Sequence, residues 1–286
     1  MCGVPETQSA LVRNPDRRAV VLGFTALATV SFGLGILPLT GRGQLPPSLP
    51  KEVAGIRLPD TALALSAADL ARAACPLFLF HHCMRTFVFA GLLAERDHVA
   101  YDPELVFIAA TLHDLGLTRR YASAEHSFEM DGADAAKEFL TSKGVSEARA
   151  ELVWNAIAMH TSMLVEHQAP QVGLVGSGAG ADVFGTDISS LAQDRVQRVV
   201  EAFPRLSFNT AFRDTLVDHC HRKPYAQRGT WLDAFCRVHN PGVQYGDLEN
   251  RILNTRIPTA LRVPDAVIPV AAQNRSPTTI LRSESR

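Results

Sequence analysis

His113 and Asp114 stand side by side at the end of a strongly apolar stretch, Leu105-Val-Phe-Ile-Ala-Ala-Thr-Leu112, and Leu115-Gly116 follow them. His82 lies 31 residues upstream in a second apolar stretch, and Asp182 lies 68 residues beyond Asp114 in a third. Imidazole nitrogens and carboxylate oxygens carried inward on separate apolar helices are what a divalent-metal site inside a helical bundle requires. Two imidazoles and two carboxylates suit zinc, iron or manganese. One such ion is the expected cofactor, with zinc the first expectation. A divalent ion of this kind lowers the pKa of water and makes it a usable nucleophile near neutral pH.

Each residue also has an ordinary structural role open to it. Phe78, Phe80 and Phe87 flank His82 and point to an interior, where a histidine can simply bond a backbone carbonyl. Adjacent side chains diverge by about 100° on a helix, so His113 and Asp114 reach one ion only near a helix end. Asp114 could instead cap a helix or join a salt bridge. Asp182 sits in Ser177-Gly-Ala-Gly-Ala-Asp-Val-Phe-Gly185, where burying a carboxylate without a cation is costly. His81 competes with His82, and Asp187, beside Gly185, competes with Asp182.

The segments that must position these groups read as helices. Ser66 with Asp69 resembles a helix start, and Pro76 opens a helix running past His82 to Leu92. Asp102-Pro103-Glu104 combines a capping carboxylate, proline at the first helical position and a negative charge in the first turn. That helix is expected to end near Gly116. Further helices are expected at about 129–143, 146–162, 177–185, 190–203 and 207–221. Alternating strand patterns are rare, so the expected class is all-α over about 61–240.

The 286 residues are 47% hydrophobic and carry a net charge of −1, without a basic stripe, so nucleic-acid binding has no electrostatic support. The five cysteines, Cys2, Cys75, Cys83, Cys220 and Cys236, form no CxxC pair. That argues against a zinc ribbon and against a disulfide framework, leaving room for one bridge in an exported protein. Arg17-Arg18 precede an uncharged run from Ala19 to Leu37, long enough to approach a bilayer core of about 30 Å. Residues 1–40 therefore read as a signal peptide or membrane anchor, resembling a bacterial twin-arginine leader in part, with Val20 where such signals usually carry Phe. Export or anchoring is the expectation and a cytoplasmic location the alternative. Residues 41–60 read as a linker and 241–286 as an irregular C-terminal extension.

Taken together, His82, His113-Asp114 and Asp182 resemble the His…His-Asp…Asp pattern of the HD superfamily over roughly residues 76–200. The matching stretches are His82-Cys-Met-Arg85, Ala109-Ala-Thr-Leu-His-Asp-Leu-Gly116 and Gly180-Ala-Asp-Val-Phe-Gly185. The resemblance implies an HD-domain helical bundle whose metal is held by His82, His113, Asp114 and Asp182. It favours His82 over His81, because the family spaces its first ligand three residues before an arginine, here Arg85. It favours Asp182 over Asp187. Phe128-Glu129-Met130-Asp131-Gly132-Ala133 looks like a string found in cyanamide-hydratase-like members, which would give Glu129 a part in shaping the pocket. Glu129, Asp131 and Asp134 equally suit a helix N-terminus. Between Asp114 and Asp182 the chain lacks the adjacent His-His pair of binuclear HD phosphodiesterases, so a single metal is expected.

His160 closes the run Val153-Trp-Asn-Ala-Ile-Ala-Met-His160 and reads as a proton donor or substrate-binding group. Arg85 is placed to orient a carboxylate or bind an anion. His219 and His221 read as surface or capping residues. The first functional expectation is an enzyme adding activated water to a small molecule, with His160 or Glu129 moving protons. Hydration of cyanamide follows if the resemblance extends to substrate. The alternative is phosphohydrolysis of a nucleotide or phosphoester at Arg85, Arg119 and Arg120, against which stands the scarcity of cations between 82 and 182. A third reading is a non-catalytic sensor with a structural ion.

Overall fold

The computed structural model describes residues 48–162 and 169–243. The leader, most of the C-terminal extension and His167 lie outside the described residues. Described residues of the stretch expected to be a linker are folded. Strands β1 (Glu52–Val53) and β2 (Ile56–Arg57) pair antiparallel. Val53, Ile56 and Leu58 are buried in the main core. Alternation over so short a span gives too little pattern to be read as structure.

The body is helical. Helix α1 (Ala62–Ala74) is capped by Thr61, whose hydroxyl accepts the Ala64 N–H, so it begins four residues before Ser66. Helix α2 (Leu77–Arg96) is the central element. It is long and apolar enough to cross a membrane, yet 83% of its most apolar window is buried inside the protein, which makes it a core helix. Helix α3 (Pro103–Leu112) starts as its sequence dictates, with Asp102 Oδ1 accepting the N–H groups of Glu104 and Leu105. It stops at Leu112, and a 3-10 turn (Leu115–Leu117) carries the chain away, leaving His113 and Asp114 at the bend.

Ser127 caps helix α4 (Phe128–Ser142), and α5 (Glu147–Ala158) packs against it. Helix α6 (Pro170–Phe184) begins seven residues before the expected start, with proline in its first turn. Helices α7 (Gln193–Ala202), α8 (Phe208–Arg222) and α9 (Asp233–His239) complete the described chain, and a Cys220–Cys236 disulfide ties α8 to α9. Asp131 of α4 and Lys223, just beyond α8, form a buried ion pair.

Packing of α6 along α2 explains one of its glycines. A methyl group at Gly178 would overlap the Thr86 carbonyl oxygen, so only glycine lets the two backbones approach this closely. Gly116 makes the same kind of approach to the Phe128 carbonyl. Gly178→Ala is expected to lower stability by about 1–3 kcal/mol or more, because neither backbone can yield without moving Asp182 away from His82. Thermal denaturation checks this; an unchanged melting temperature would show that the helices can part at no cost.

Candidate metal centre and active site

Helix α2 presents His82, and the end of α3 presents His113 and Asp114, all three with about 1% exposure. Their ligating atoms form a small triangle. His82 Nε2 lies 3.2 Å from His113 Nε2 and 3.5 Å from Asp114 Oδ2, and His113 Nε2 lies 3.4 Å from the same Oδ2.

Proton placement shows what this triangle is for. His113 Nδ1 donates to the Ala110 carbonyl at 2.7 Å, and His82 Nδ1 donates to Asp182 Oδ2 at 2.7 Å. In each neutral ring the Nε2 atom then carries the lone pair. Two lone pairs and a carboxylate oxygen therefore converge, and Asp114 Oδ2 is buried without a hydrogen-bond donor. Such a meeting of acceptors is unfavourable unless a cation occupies the centre. The nitrogen and oxygen donors suit zinc, iron or manganese. The donor set thus fits a divalent ion held by His82, His113 and Asp114. Burial holds the His113 imidazole down at about 3, with His82 adding to the effect, and burial raises the Asp114 carboxyl.

Asp182 takes a different place from the expected fourth ligand. Its Oδ1 accepts from Arg85 Nε at 2.7 Å and from Arg205 at 2.6 Å, and its Oδ2 accepts from Arg85 and from His82 Nδ1, each at 2.7 Å. It stands behind His82, fixing that ring's tautomer and orientation as carboxylates behind metal-bound histidines do. Burial would raise its pKa, but the hydrogen bonds from His82 and Arg85 prevail and hold it well below the usual carboxylate range. Arg205 belongs to this group, and nothing in the local sequence marks it.

Arg85 is likewise not at the reacting face. It is fully buried, clamps Asp182 and donates to the carbonyls of Phe203 and Pro204. His81 points elsewhere, donating to the Pro204 carbonyl, and Asp187 opens a 3-10 turn at the cavity rim. Glu129 is buried, with Oε1 accepting from Thr161 and from the Trp231 indole, so it anchors two residues of the cavity wall. His219, expected to be a surface or capping residue, is not at the surface. It is fully buried on the inner face of α8, with Nε2 at 2.7 Å from Gln227, while His221 remains exposed.

A cavity of about 400 Å³ opens over the triangle and includes His82, His113, Asp114 and His160 in its lining. His160 Nδ1 donates to the Ile157 carbonyl at 2.6 Å, so its Nε2 carries a lone pair, and its ring packs edge-on against His113. Burial, then the neighbouring His113, lower its pKa to about 4, so the resting imidazole is neutral. Among the described residues lining the cavity there is no arginine or lysine. Arg119 pairs with Asp218 and Arg120 stacks on Tyr121, both outside the lining. The free thiols of Cys75 and Cys83 are buried, raised by that burial, and stand outside the ligand cluster.

The depressed histidines set the acid response of the metal-free protein. His160 and His219 fall to about 4, both chiefly through burial, against 6.5 when unfolded. Between those values the unfolded chain binds more protons than the folded one, so stability is full above pH 6.5 and is lost as pH falls toward 4. Each histidine contributes a slope of up to about 1.4 kcal/mol per pH unit in that window. Urea denaturation midpoints should be flat above pH 7 and fall steadily from 6.5 to 4. A midpoint unchanged down to pH 4.5 would contradict the burial of neutral imidazoles.

An adjacent His-Asp pair closing a core helix and meeting a histidine from the preceding helix is matched by a family model. Residues 79–188 match the HD domain, a stretch that includes His82, His113, Asp114 and Asp182. The chain carries an HD domain. With that domain the chain is a metal-dependent enzyme, and it is mostly helical as the HD fold requires. Two curated relatives are cyanamide hydratases of Saccharomyces cerevisiae, DDI2 and DDI3. Each is 23% identical over 193 residues, covering 66% of this chain and 86% of the yeast protein. In this HD domain the described metal cluster holds two histidines and one aspartate, with the aspartate from α6 behind them.

Proposed function

We propose that this HD-domain enzyme adds water to a nitrile-like group, as the cyanamide hydratases it resembles are named for doing. One observation carries the reading. The acceptor triangle lies at a cavity whose described lining holds a neutral histidine and no cationic side chain. A phosphoester would bring negative charge to a site without arginine or lysine to receive it, and the three arginines considered for that purpose are engaged elsewhere.

When bound, the divalent ion supplies Lewis acidity and a water of lowered pKa. The rest is done by the chain. His160 Nε2 accepts a proton as the water oxygen bonds to the nitrile carbon. The electron pair of the breaking C–N π bond passes to nitrogen, and His160 returns the proton there. For cyanamide the sum is one water consumed and one urea formed after tautomerisation. His82 is kept in its ligating tautomer by Asp182, and Glu129 holds the wall through Thr161 and Trp231.

The metal-loaded full chain, assayed for urea from cyanamide beside phosphate from a nucleotide panel, tests the reading. Urea formation lost on chelation is the expected result, and chelation-sensitive phosphate release without urea would overturn it. We also propose an exported protein, supported by the Arg17-Arg18 leader pattern and the Cys220–Cys236 bridge. Alkylation in freshly lysed cells should leave Cys220 and Cys236 unlabelled, and labelling of both would contradict it.

A further inference from the structure

The cavity is much larger than cyanamide needs. Cyanamide has three heavy atoms, whereas about 400 Å³ falls within the range of pockets that enclose drug-sized ligands. Its shape comes from small residues on α6, Gly176, Ala179 and Gly180, which hollow one side. Phe184 and Trp231 face each other edge-on at 6.0 Å on another side. Both are partly open to solvent, Phe184 at 69% and Trp231 at 37%, an unusual degree of exposure for paired large apolar side chains at a cavity mouth.

Trp231 is held in that position. Its indole N–H donates to Glu129 Oε1 at 3.1 Å, which spends one bond of a buried carboxylate on fixing a wall residue. A second cavity of about 220 Å³ adjoins the first and shares Val183, Phe184, Phe212 and Trp231 with it, so the aromatic wall has room on more than one side. Apart from the metal-binding groups and His160, the described lining offers one charge, Asp187, and it is negative and exposed at the rim. A negatively charged substituent would therefore find no cationic partner in the first cavity, and Arg213, which lines the second, pairs with Asp214.

We propose that the substrate carries, beyond its reacting group, an uncharged apolar portion of about aromatic-ring size, seated against Phe184 and Trp231. The identity of the reacting end rests on the hydratase reading, and the apolar seat rests on the cavity alone. The substrate class is then an N-substituted cyanamide or an aryl-bearing nitrile.

Two measurements on the metal-loaded full chain separate the claims. Calorimetric binding of benzylurea against urea, the substituted and bare products, reads the seat. Benzylurea should bind at least about tenfold more tightly, the order expected for burying one aromatic ring. Phe184→Ala and Trp231→Ala should each erase most of that preference. Phe184 is exposed near the end of α6, so its replacement does not endanger folding. Equal binding of the two ureas, or a preference unchanged in both variants, overturns the proposal even if cyanamide is turned over. Turnover reads the reacting end. Benzylcyanamide should have a kcat/KM at least about tenfold above that of cyanamide, mainly through KM. No turnover of either cyanamide, with the benzylurea preference intact, would overturn the hydratase reading and leave the seat standing.

Discussion

Asp114→Ala is expected to leave a folded protein that binds no stoichiometric divalent ion and has no measurable activity. Asp114 is the one negative member of the triangle, and its Oδ2 has no donor to satisfy it other than a cation. Removing it leaves two neutral imidazoles, too few to hold a divalent ion at micromolar levels against water. Folding should survive, because in the metal-free state the substitution removes a buried unpaired carboxylate instead of breaking a pair. Elemental analysis of the purified variant, with circular dichroism to confirm the fold, checks this. Stoichiometric metal in Asp114→Ala would remove the residue from the ligand set.

Asp182→Ala is expected to act mainly on the fold. The substitution strands Arg85, which is fully buried, and takes from Arg205 its closest anionic partner. Removing one partner of a buried charge cluster costs about 3–5 kcal/mol. The metal effect should be weaker than for Asp114→Ala. Loss of a carboxylate behind a metal-bound histidine lowers affinity by about 10–100-fold without abolishing binding. Asp182→Asn, which keeps an acceptor for His82 Nδ1, should retain more metal than Asp182→Ala. Denaturant titration and competition with a chromophoric chelator give the two numbers. Complete loss of metal with unchanged stability would make Asp182 a direct ligand.

The meeting of His113 and Asp114 with His82 was legible in the sequence because the pair closes an apolar stretch and the set resembles the HD pattern. His82 was legible because its phenylalanine neighbours place it inside. The position of Asp182 was legible too, as a carboxylate among small residues, but its role was not. That role depends on Arg205, whose place against Asp182 is set by the turn between α7 and α8. The work of Glu129 was hidden for the same reason, since its partner Trp231 lies 102 residues away. Helix α6 began earlier than expected because glycine propensity argues for a loop, whereas here Gly178 lets α6 approach α2 and Gly176 and Gly180 line the cavity. Proline 170 was the available signal for its start. His219 sits among His221, Arg222 and Lys223, a polar run that reads as surface, yet helical periodicity turns it inward.

The most direct test is a crystal structure of the metal-loaded protein with an anomalous difference map recorded at the absorption edge of the bound ion. One peak is expected per chain, coordinated by His82 Nε2, His113 Nε2 and Asp114 Oδ2, with Asp182 remaining on His82 Nδ1 and Arg85. A peak elsewhere, or none in protein shown by elemental analysis to hold stoichiometric metal, would contradict the centre described above.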